Sequence, residues 1–322
     1  MKVFVVGASG AIGRRLVPQL LARGHQVIGT SRSLEKTDVL RALGAQPVLL
    51  DALDGHAVRD AVRTAEPDAI VYEATALSDL SDFKHFDRSF AQTNLLRTRG
   101  IDHAIAAARE SGVRKLVAQS YASARYARVG GPVKSEDDPL DPTPVPAARE
   151  SFDAMVYLDD AVTEAGGIIL RYGTFYGDPQ DKMVDTVRRR LWPIVGEGGG
   201  VTSFIHLEDA AAATVLALEH DGPAIYNIVD DEPAAIREWL PVLADIAGAK
   251  PPRRVPRWLA KRFAGEAVVM MSTESRGASN AKAKRELGWT LRYPSWRQGF
   301  AAEYSVKRAA PPVPALPSAR TS

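Results

Sequence analysis

The sequence predicts an α/β fold, a doubly wound parallel sheet followed by a smaller, mostly helical C-terminal lobe. Short, almost wholly apolar runs alternate with helical patterns over the first two thirds of the chain. This alternation is typical of parallel strands that helices cover on both faces. A glycine-rich turn also follows the first apolar run. The predicted strands are Val3–Val6, Gln26–Thr30, Pro47–Leu50, Ala69–Glu73, Lys115–Gln119, Ile168–Arg171 and Ala224–Val229.

Amphipathic patterns place a helix between most of these strands. The predicted helices are Ala11–Arg23, Leu34–Leu43, Asp54–Thr64, Ala91–Ser111, Phe152–Ala165 and Asp209–Glu219. After Asp231 the strand pattern stops, and the segments 237–249, 251–265 and 278–289 favour helices, the second broken by prolines. We therefore predict a first domain over 1–231, with 172–205 contributing in part to the C-terminal lobe. The lobe itself covers 232–307, and the Pro/Ala/Ser-rich tail 308–322 is expected to be disordered.

The composition excludes several classes of protein. The chain has 41 basic and 39 acidic residues, a formal net charge of +2, so neither a nucleic acid nor a membrane surface is an expected partner. It has no cysteine, and its six histidines lack metal-ligand spacing, so no metal site is expected. No apolar run approaches the roughly 18 residues of a membrane span, and the first residues lack a signal-peptide core. We expect a soluble cytoplasmic protein.

The turn GASGAIG, between the first strand and the first helix, is the strongest indication of a ligand. Its G-x-x-G-x-x-G spacing allows a tight turn and the close approach of a pyrophosphate, which the N-terminus of the helix then binds. A tight turn without a ligand is the alternative. The residues predicted to bind a dinucleotide here are Gly7, Ser9, Gly10, Ala11, Ile12 and Gly13.

The end of the second strand indicates NADP rather than NAD. An NAD site places a carboxylate there for the ribose 2′-hydroxyl, whereas this chain has TSRS, with no acid. Arg32 is predicted to pair with a 2′-phosphate, with Ser31 and Arg14 beside it; a solvated loop arginine is the alternative. Asp51, after the third strand, is placed to meet the adenine amino group, or else to cap the next helix.

These motifs together resemble the short-chain dehydrogenase/reductase superfamily, in its extended, epimerase/dehydratase-like branch. The resemblance covers residues 1 to about 300. It implies a Rossmann domain with a C-terminal substrate lobe. The segments that carry it are GASGAIG, YEATA (72–76), TNLLRT (93–98), KLVAQS (115–120), LRYGTFYG (170–177), FIHLEDAAAA (204–213) and YNIVDDEP (226–233). The cofactor contacts that it implies beyond the glycine turn are Asp51, Ala52, Ala74, Thr75, Ala76, Asn94, Ser120, Tyr172 and Gly173.

The chain departs from this family at the proton-transfer pair. The family uses a tyrosine with a lysine four residues later, which puts both on one helix face and lets the lysine lower the tyrosine pKa. None of the nine tyrosines has a lysine at that spacing, and the two positions fall near Ser151–Phe152 and Met155–Val156. The arginine that holds a nucleotide-sugar diphosphate is also missing before FIH, where Val201–Ser203 stand. Tyr172 replaces the usual proline.

The stretch AQSYASARYARVGGPVK, 118–134, begins in the fifth strand and continues as the loop after it. This loop lies at the carboxyl end of the sheet, where ligands bind in this architecture. Ser120 is expected to donate to a carbonyl oxygen, and Tyr121 or Tyr126 to move the proton. Lys134 is expected to fold back across two glycines and lower the tyrosine pKa. The alternatives are Tyr157 as the donor, two tyrosines that only cover the substrate, and a site that uses other groups or none.

The leading functional hypothesis is an NADP-dependent oxidoreductase of a small carbonyl or alcohol, with NAD as the possible cofactor instead. One alternative is a sugar or nucleotide-sugar epimerase or dehydratase that retains NAD. Another is a non-catalytic NADP-binding sensor. The resemblance also suggests a homodimer, paired through the helices predicted at Ala91–Ser111 and Phe152–Ala165.

Overall fold

The centre of the molecule is a parallel sheet of seven strands. The structure is a computed structural model that describes residues 1–77, 82–178 and 182–305. The strand order is β7-β6-β5-β4-β1-β2-β3. Strands β2 and β3 therefore lie on one side of β1, and β4 to β7 follow on its other side. Every predicted strand is confirmed, with ends that differ by one or two residues. We number the strands β1 to β7 in chain order: Lys2–Val6, Gln26–Ser31, Gln46–Leu49, Ala69–Tyr72, Lys115–Tyr121, Ile168–Tyr172 and Ala224–Ile228.

Helices cover both faces of this sheet and enclose two apolar cores. One core holds Leu16 and Val17 of the first helix with Ala210 of the helix that precedes β7. The other holds Val58 and Leu158 from helices on the opposite face. The helices that cover the sheet are Gly13–Ala22, Leu34–Ala42, Gly55–Ala65, Phe86–Leu95, Ile101–Glu110, Arg149–Glu164 and Leu207–Glu219. The doubly wound fold predicted from the sequence is confirmed.

The helix between β4 and β5 is not the continuous helix predicted at Ala91–Ser111. It begins at Phe86, widens into a π-helical turn over Leu96–Gly100, and continues as an α-helix. The Tyr72 hydroxyl lies against this turn and donates to the Leu96 carbonyl at 2.8 Å. A Cβ at Gly100 would lie 2.2 Å from that hydroxyl. The Tyr72 hydroxyl therefore occupies space that a regular α-helical turn would fill. Its hydrogen bond satisfies the Leu96 carbonyl in the widened turn.

The C-terminal lobe is built around aromatic side chains. The Phe204 ring packs edge-on against Trp239 and Phe300, and the Trp296 ring lies beside Phe300. A short parallel pair, Thr174–Tyr176 with Phe204–His206, links the lobe to the end of β6. The helices after β7 are Ile236–Ile246, Arg257–Ala264, Glu266–Thr273, Ala281–Leu287 and Trp296–Tyr304.

Two of these helices were not predicted, and one returns to the sheet. Nothing in the sequence reasoning indicated Glu266–Thr273 or Trp296–Tyr304. Leu287 and Trp289, at the end of the helix Ala281–Leu287, pack into the core of the first domain. The two-residue strand Gly277–Ala278 pairs with 133–134, and it is too short for a recognisable alternation in the sequence. The tail at 308–322 lies outside the described residues. No helix in the described part of the chain could cross a membrane.

Candidate active site

The glycine turn after β1 has the shape that a dinucleotide needs. Gly7 has φ +84°, and a Cβ there would lie 2.9 Å from the backbone carbon of Glu73. A Cβ at Gly13 would lie 2.2 Å from the Ala8 carbonyl oxygen. Gly10 donates its N–H to the Gly7 carbonyl at 3.0 Å and closes the turn. Ile12 precedes the helix without a side-chain cap. The Arg14 and Arg15 N–H groups bond the Gly10 and Ile12 carbonyls, whereas the N–H groups of Ile12 and Gly13 have no partner within the described residues and remain for a pyrophosphate.

The predicted ribose end of the cofactor site lies at the C-terminus of β2. Ser31 is buried, and its hydroxyl accepts a hydrogen bond from Ser9 at 3.1 Å. Arg32 is exposed and has no ion pair or hydrogen bond within the described residues. Arg14 is not available in the same way, because it pairs with Asp178 at 3.0 Å. Arg32 is thus the cation of this segment that remains for a 2′-phosphate.

Asp51 stays exposed at the end of β3. Its carboxylate accepts from the Leu53 N–H at 3.0 Å, which holds the loop in a turn. The cap of the following helix is Asp54, whose side chain accepts from two backbone N–H groups of the first turn. Ala52 is buried, and its carbonyl contacts the His103 ring at 3.1 Å. The helix-cap alternative for Asp51 is therefore wrong, and its carboxylate faces solvent beside the predicted adenine position.

A mainly apolar cavity of about 360 Å³ opens at the carboxyl ends of β4, β5 and β6. Ala74 and Thr75 from the predicted cofactor wall line it, as do Tyr172 and Gly173. The Ala76 N–H donates to the Thr93 hydroxyl at 3.1 Å and so fixes the wall to the helix that begins at Phe86. The apolar side chains of the far wall are Phe86, Phe90, Val145, Phe152, Met155, Met270 and Met271.

Two of the four predicted catalytic residues line this cavity. The Ser120 hydroxyl, at the end of β5, accepts a hydrogen bond from Arg125 at 3.1 Å. The Tyr121 hydroxyl lies 3.1 Å from the Thr174 hydroxyl, and both side chains reach the cavity. These two residues therefore stay candidates for contact with a substrate.

The other two predicted catalytic residues lie elsewhere, which corrects that expectation. The Tyr126 hydroxyl donates to Asn227 at 2.8 Å inside a small core with Val229. Burial raises its pKa. The Lys134 ammonium group pairs with Asp138 at 3.1 Å. Neither residue lines the cavity: Ser123 and Ala124 of the loop after β5 do, whereas Tyr126 and Lys134 are buried elsewhere in the protein.

The positions where the family resemblance places the tyrosine and the lysine do line the cavity. These positions fall near Ser151–Phe152 and Met155–Val156, and of the four residues Ser151, Phe152 and Met155 line it. The Ser151 hydroxyl donates to Asp87 at 2.6 Å and accepts from Asn94 at 3.1 Å. A thioether has no proton to give, and this serine hydroxyl is already bonded on both sides. The tyrosine–lysine chemistry is absent from the site.

Sequence reasoning missed a buried group of charges behind Ser120. Arg125 and Arg171 both bond one oxygen of Asp159, at 2.5 and 2.8 Å. The three side chains are almost completely buried. Arginines near a strand end or in a loop usually remain solvated, so no local signal in the sequence distinguished them. They fix the position of Ser120 through Arg125.

A further cation, Arg97, was also missed, although it lines the cavity itself. It lies in the π-helical turn and is only 8% exposed. Burial, and then repulsion by Arg125, lowers its pKa to about 10, so it stays charged at neutral pH. Within the described ranges it has no hydrogen bond or ion pair. Asp159 attracts it but does not bond it.

A buried carboxylic acid lies beneath the cofactor wall. Tyr172 donates to one oxygen of Glu73 at 3.1 Å and also meets the Thr214 hydroxyl at 2.6 Å. Burial raises the pKa of Glu73 to about 8. Its second oxygen has no partner in the described structure. Glu73 is therefore protonated at neutral pH and adds no negative charge to the site.

Comparison with known proteins identifies the family. Residues 3–229 match the NAD dependent epimerase/dehydratase family, and the chain belongs to it. Among solved structures, the UDP-glucose 4-epimerase of Thermus thermophilus in complex with NAD has a TM-score of 0.73 at 25% identity, over 94% of this chain and 98% of that one. The predicted family is thus confirmed.

Curated relatives include reductases. A 3-diazoavenalumate denitrifying reductase from a Streptomyces species is 42% identical over 312 residues, 94% of this chain and 100% of that protein. A 2-alkyl-3-oxoalkanoate reductase from Stenotrophomonas maltophilia is 28% identical over 269 residues, 77% of this chain and 76% of that protein. The chain is an NAD(P)-dependent oxidoreductase of the epimerase/dehydratase type, as the sequence predicted.

Proposed function

We propose that this enzyme uses NAD(P)H to replace the diazo group of an aromatic acid with hydrogen and releases dinitrogen. The observation that carries the proposal is the cavity at the carboxyl ends of the strands, whose wall has Ser151 and Met155 where the family resemblance places the proton-transfer pair. The 42% identical relative, whose name describes a diazo substrate and a denitrifying reduction, supports it over 94% of this chain and the whole of that protein.

The chemistry explains why such a site needs no tyrosine. The nicotinamide supplies a hydride, whose electron pair makes the new carbon–hydrogen bond. The carbon–nitrogen bond breaks, and its electron pair leaves on dinitrogen. An arenediazonium ion thus becomes an arene with no net proton taken from the enzyme. A carbonyl group, in contrast, requires a proton on its oxygen for each hydride.

The residues of the chain hold and shield the reactants. The glycine turn and the first helix would bind the pyrophosphate. The stacked rings of Phe86 and Phe90, with centroids 4.3 Å apart, and the methionines of the far wall favour a flat, apolar ring. Ser120 and Tyr121 line the same cavity, and their hydroxyl groups would bind polar substituents of the ring.

The direct test is turnover of 3-diazo-4-hydroxybenzoate with NADPH or NADH. We expect loss of the reduced nicotinamide absorbance, with formation of an equal amount of 4-hydroxybenzoate by mass spectrometry. A Gly13→Val variant, whose side chain would collide with Ala8, controls for non-enzymatic reduction. Turnover no faster than with that variant, using either cofactor, would overturn the proposal.

Carbonyl reduction is the second candidate, and the pair of hydroxyls on Tyr121 and Thr174 favours it, because one could donate a proton to an alkoxide. The 28% identical relative named as a reductase of 3-oxoalkanoates supports the same class. A panel of 3-oxo acids, assayed beside the diazo acid, decides between the two. Under our proposal the diazo acid has the higher kcat/KM.

We further propose that NADPH is the preferred cofactor, because Arg32 remains unpaired at the ribose end of the site. Fluorescence titration should show NADPH binding at least about 10-fold tighter than NADH, a gap of about 1.4 kcal/mol. An Arg32→Ala variant should lose that gap, and an Arg63→Ala variant, which removes a cation paired with Asp60 on an exposed surface, should keep it. Equal binding of the two cofactors by the wild-type protein would contradict this preference.

A homodimer through the helices Ile101–Glu110 and Arg149–Glu164 is our proposal for the assembly. Tyr157 is 43% exposed there, and its hydroxyl donates to Asp102 at 2.8 Å, so an apolar ring stands on the outer face of both helices. Light scattering should give twice the chain mass, and Tyr157→Arg should reduce it. A monomeric wild-type protein at micromolar concentration would exclude this assembly.

A further inference from the structure

Arg97 is the charged side chain that the fold leaves facing the cavity. It is 8% exposed and lines the cavity together with Ser120 and Tyr121. Its guanidinium group has no hydrogen bond or ion pair to any described residue. Buried arginines are ordinarily paired, because an unpaired charge that has left water is costly.

The π-helical turn is what directs Arg97 inward. The Tyr72 hydroxyl holds the wide turn over Leu96–Gly100, and Arg97 is buried there while Arg99, two residues later, is exposed. Such widened turns occur frequently at functional sites. One local feature of the helix therefore brings a cation to the cavity.

The neighbouring charges do not neutralise Arg97. Arg125 and Arg171 already bond the one oxygen of Asp159 that makes hydrogen bonds. Asp159 attracts Arg97 and Arg125 repels it. Three buried cations thus face one carboxylate, and Glu73, on the far side of Tyr172, is held in its neutral form by burial. This buried group of four side chains has an excess of positive charge, and an anionic ligand beside Arg97 would balance it.

We propose that Arg97 binds the carboxylate of an aromatic acid whose ring occupies the apolar part of the cavity. This inference rests on the proposed function for its choice of ligand, and it names the substrate group that the site recognises. A guanidinium group binds a carboxylate through two parallel hydrogen bonds and so fixes the orientation of the ring. The carboxylate marks one end of the ligand, and the reacting carbon lies towards the nicotinamide.

Binding without turnover tests this directly. The protein, saturated with NADP⁺, is titrated with 4-hydroxybenzoate and with 4-hydroxybenzamide, which has the same shape and no charge. We expect the wild-type protein to bind the acid at least about 10-fold more tightly than the amide. Arg97→Met should remove that preference while leaving amide binding unchanged, and Arg97→Lys should keep part of it.

Arg99→Met is the matched control, since it removes an exposed arginine from the same helical turn. It should leave both affinities unchanged. The inference is overturned if the wild-type protein binds acid and amide equally, or if Arg97→Met keeps the preference for the acid. The first of these comparisons needs no variant, so a folding defect in Arg97→Met cannot hide the answer.

The two proposals fail separately. Both ligands are inert to reduction, so their affinities do not depend on diazo chemistry. A preference for the acid that is lost in Arg97→Met supports the role of Arg97 even if 3-diazo-4-hydroxybenzoate is not turned over. Turnover of that compound with no preference for the acid would support the reaction and overturn the role of Arg97.

Discussion

Two sets of buried arginines lie within one small region of this protein, and they differ in two linked respects, their pairing and their contact with the cavity. Arg125 and Arg171 bond a buried carboxylate, Asp159, and do not reach the cavity. Arg97 lines the cavity and has no bonding partner in the described chain. Pairing makes the first two part of the scaffold that holds Ser120. The lack of a partner leaves the third available to a ligand.

The largest expected effect comes from breaking the paired set. Asp159→Asn removes the negative charge that both arginines share and leaves them buried without compensation. We expect a loss of about 3–5 kcal/mol of unfolding free energy, the cost typical of a broken buried ion pair. Urea denaturation measures it, with Asp60→Asn, in an exposed pair with Arg63, as the control that should leave the midpoint unchanged.

The distinction between the paired arginines and Arg97 is wrong if substitutions in both sets lower the stability equally. Arg97→Met removes a buried charge that bonds no described residue. The urea midpoint of this variant should therefore equal or exceed that of the wild-type protein. If Arg97→Met costs as much stability as Asp159→Asn, then Arg97 belongs to the scaffold and the distinction between the two sets is wrong.

A smaller effect comes from Glu73, a buried acid that forms no ion pair with any residue that the structure describes. Its pKa is raised from 4.5 to about 8 by burial. Below pH 4.5 the folded and unfolded chains both keep the proton. Between that pH and about 8 only the unfolded chain releases it, so the folded state loses stability as the pH rises.

Glu73→Gln should therefore raise the melting temperature at pH 8 by more than at pH 5, as thermal melts at the two values would show. Asp230, whose burial also raises its pKa to about 8, is unchanged in this variant, so part of the pH dependence should remain. An equal effect of Glu73→Gln at both values would mean that Glu73 is ionised in the folded protein.

The smallest expected effect concerns Tyr126. Tyr126→Phe removes two hydrogen bonds of the hydroxyl, one donated to Asn227 and one accepted from Arg171, and should cost about 2 kcal/mol of stability. It should leave kcat/KM unchanged, whereas Ser120→Ala should lower it, because Ser120 lines the cavity and Tyr126 does not. A strong loss of activity in Tyr126→Phe, with normal cofactor binding, would return that residue to the list of proton donors.

The parts of the fold that the sequence predicted are those with a strong local signal. Buried parallel strands are continuous apolar runs, and the glycine turn has a fixed spacing, so β1 to β7 and the cofactor loop could be located. The helix Glu266–Thr273 could not, since its sequence, EAVVMMST, is apolar without a clear period. Its methionines nevertheless supply part of the cavity wall.

The site was harder to predict because it depends on where loops and helix turns point. Tyr126 and Lys134 have suitable chemistry, but the loop after β5, with Ala124 at φ +58°, turns Arg125 and Tyr126 into the protein. The segment TNLLRT predicts an ordinary α-helix, in which an arginine side chain normally faces solvent. The π-helical turn that buries Arg97 depends on Tyr72, a residue from another strand. Spacing within one segment does not contain that information.

The most direct measurement is a crystal structure of the protein with NADP⁺ and 4-hydroxybenzoate. We expect the aromatic ring inside the cavity between Phe86 and Met270, with both carboxylate oxygens within hydrogen-bonding distance of the Arg97 guanidinium group. A ring bound outside the cavity, or a carboxylate held by other groups while Arg97 pairs with Asp159, would contradict it.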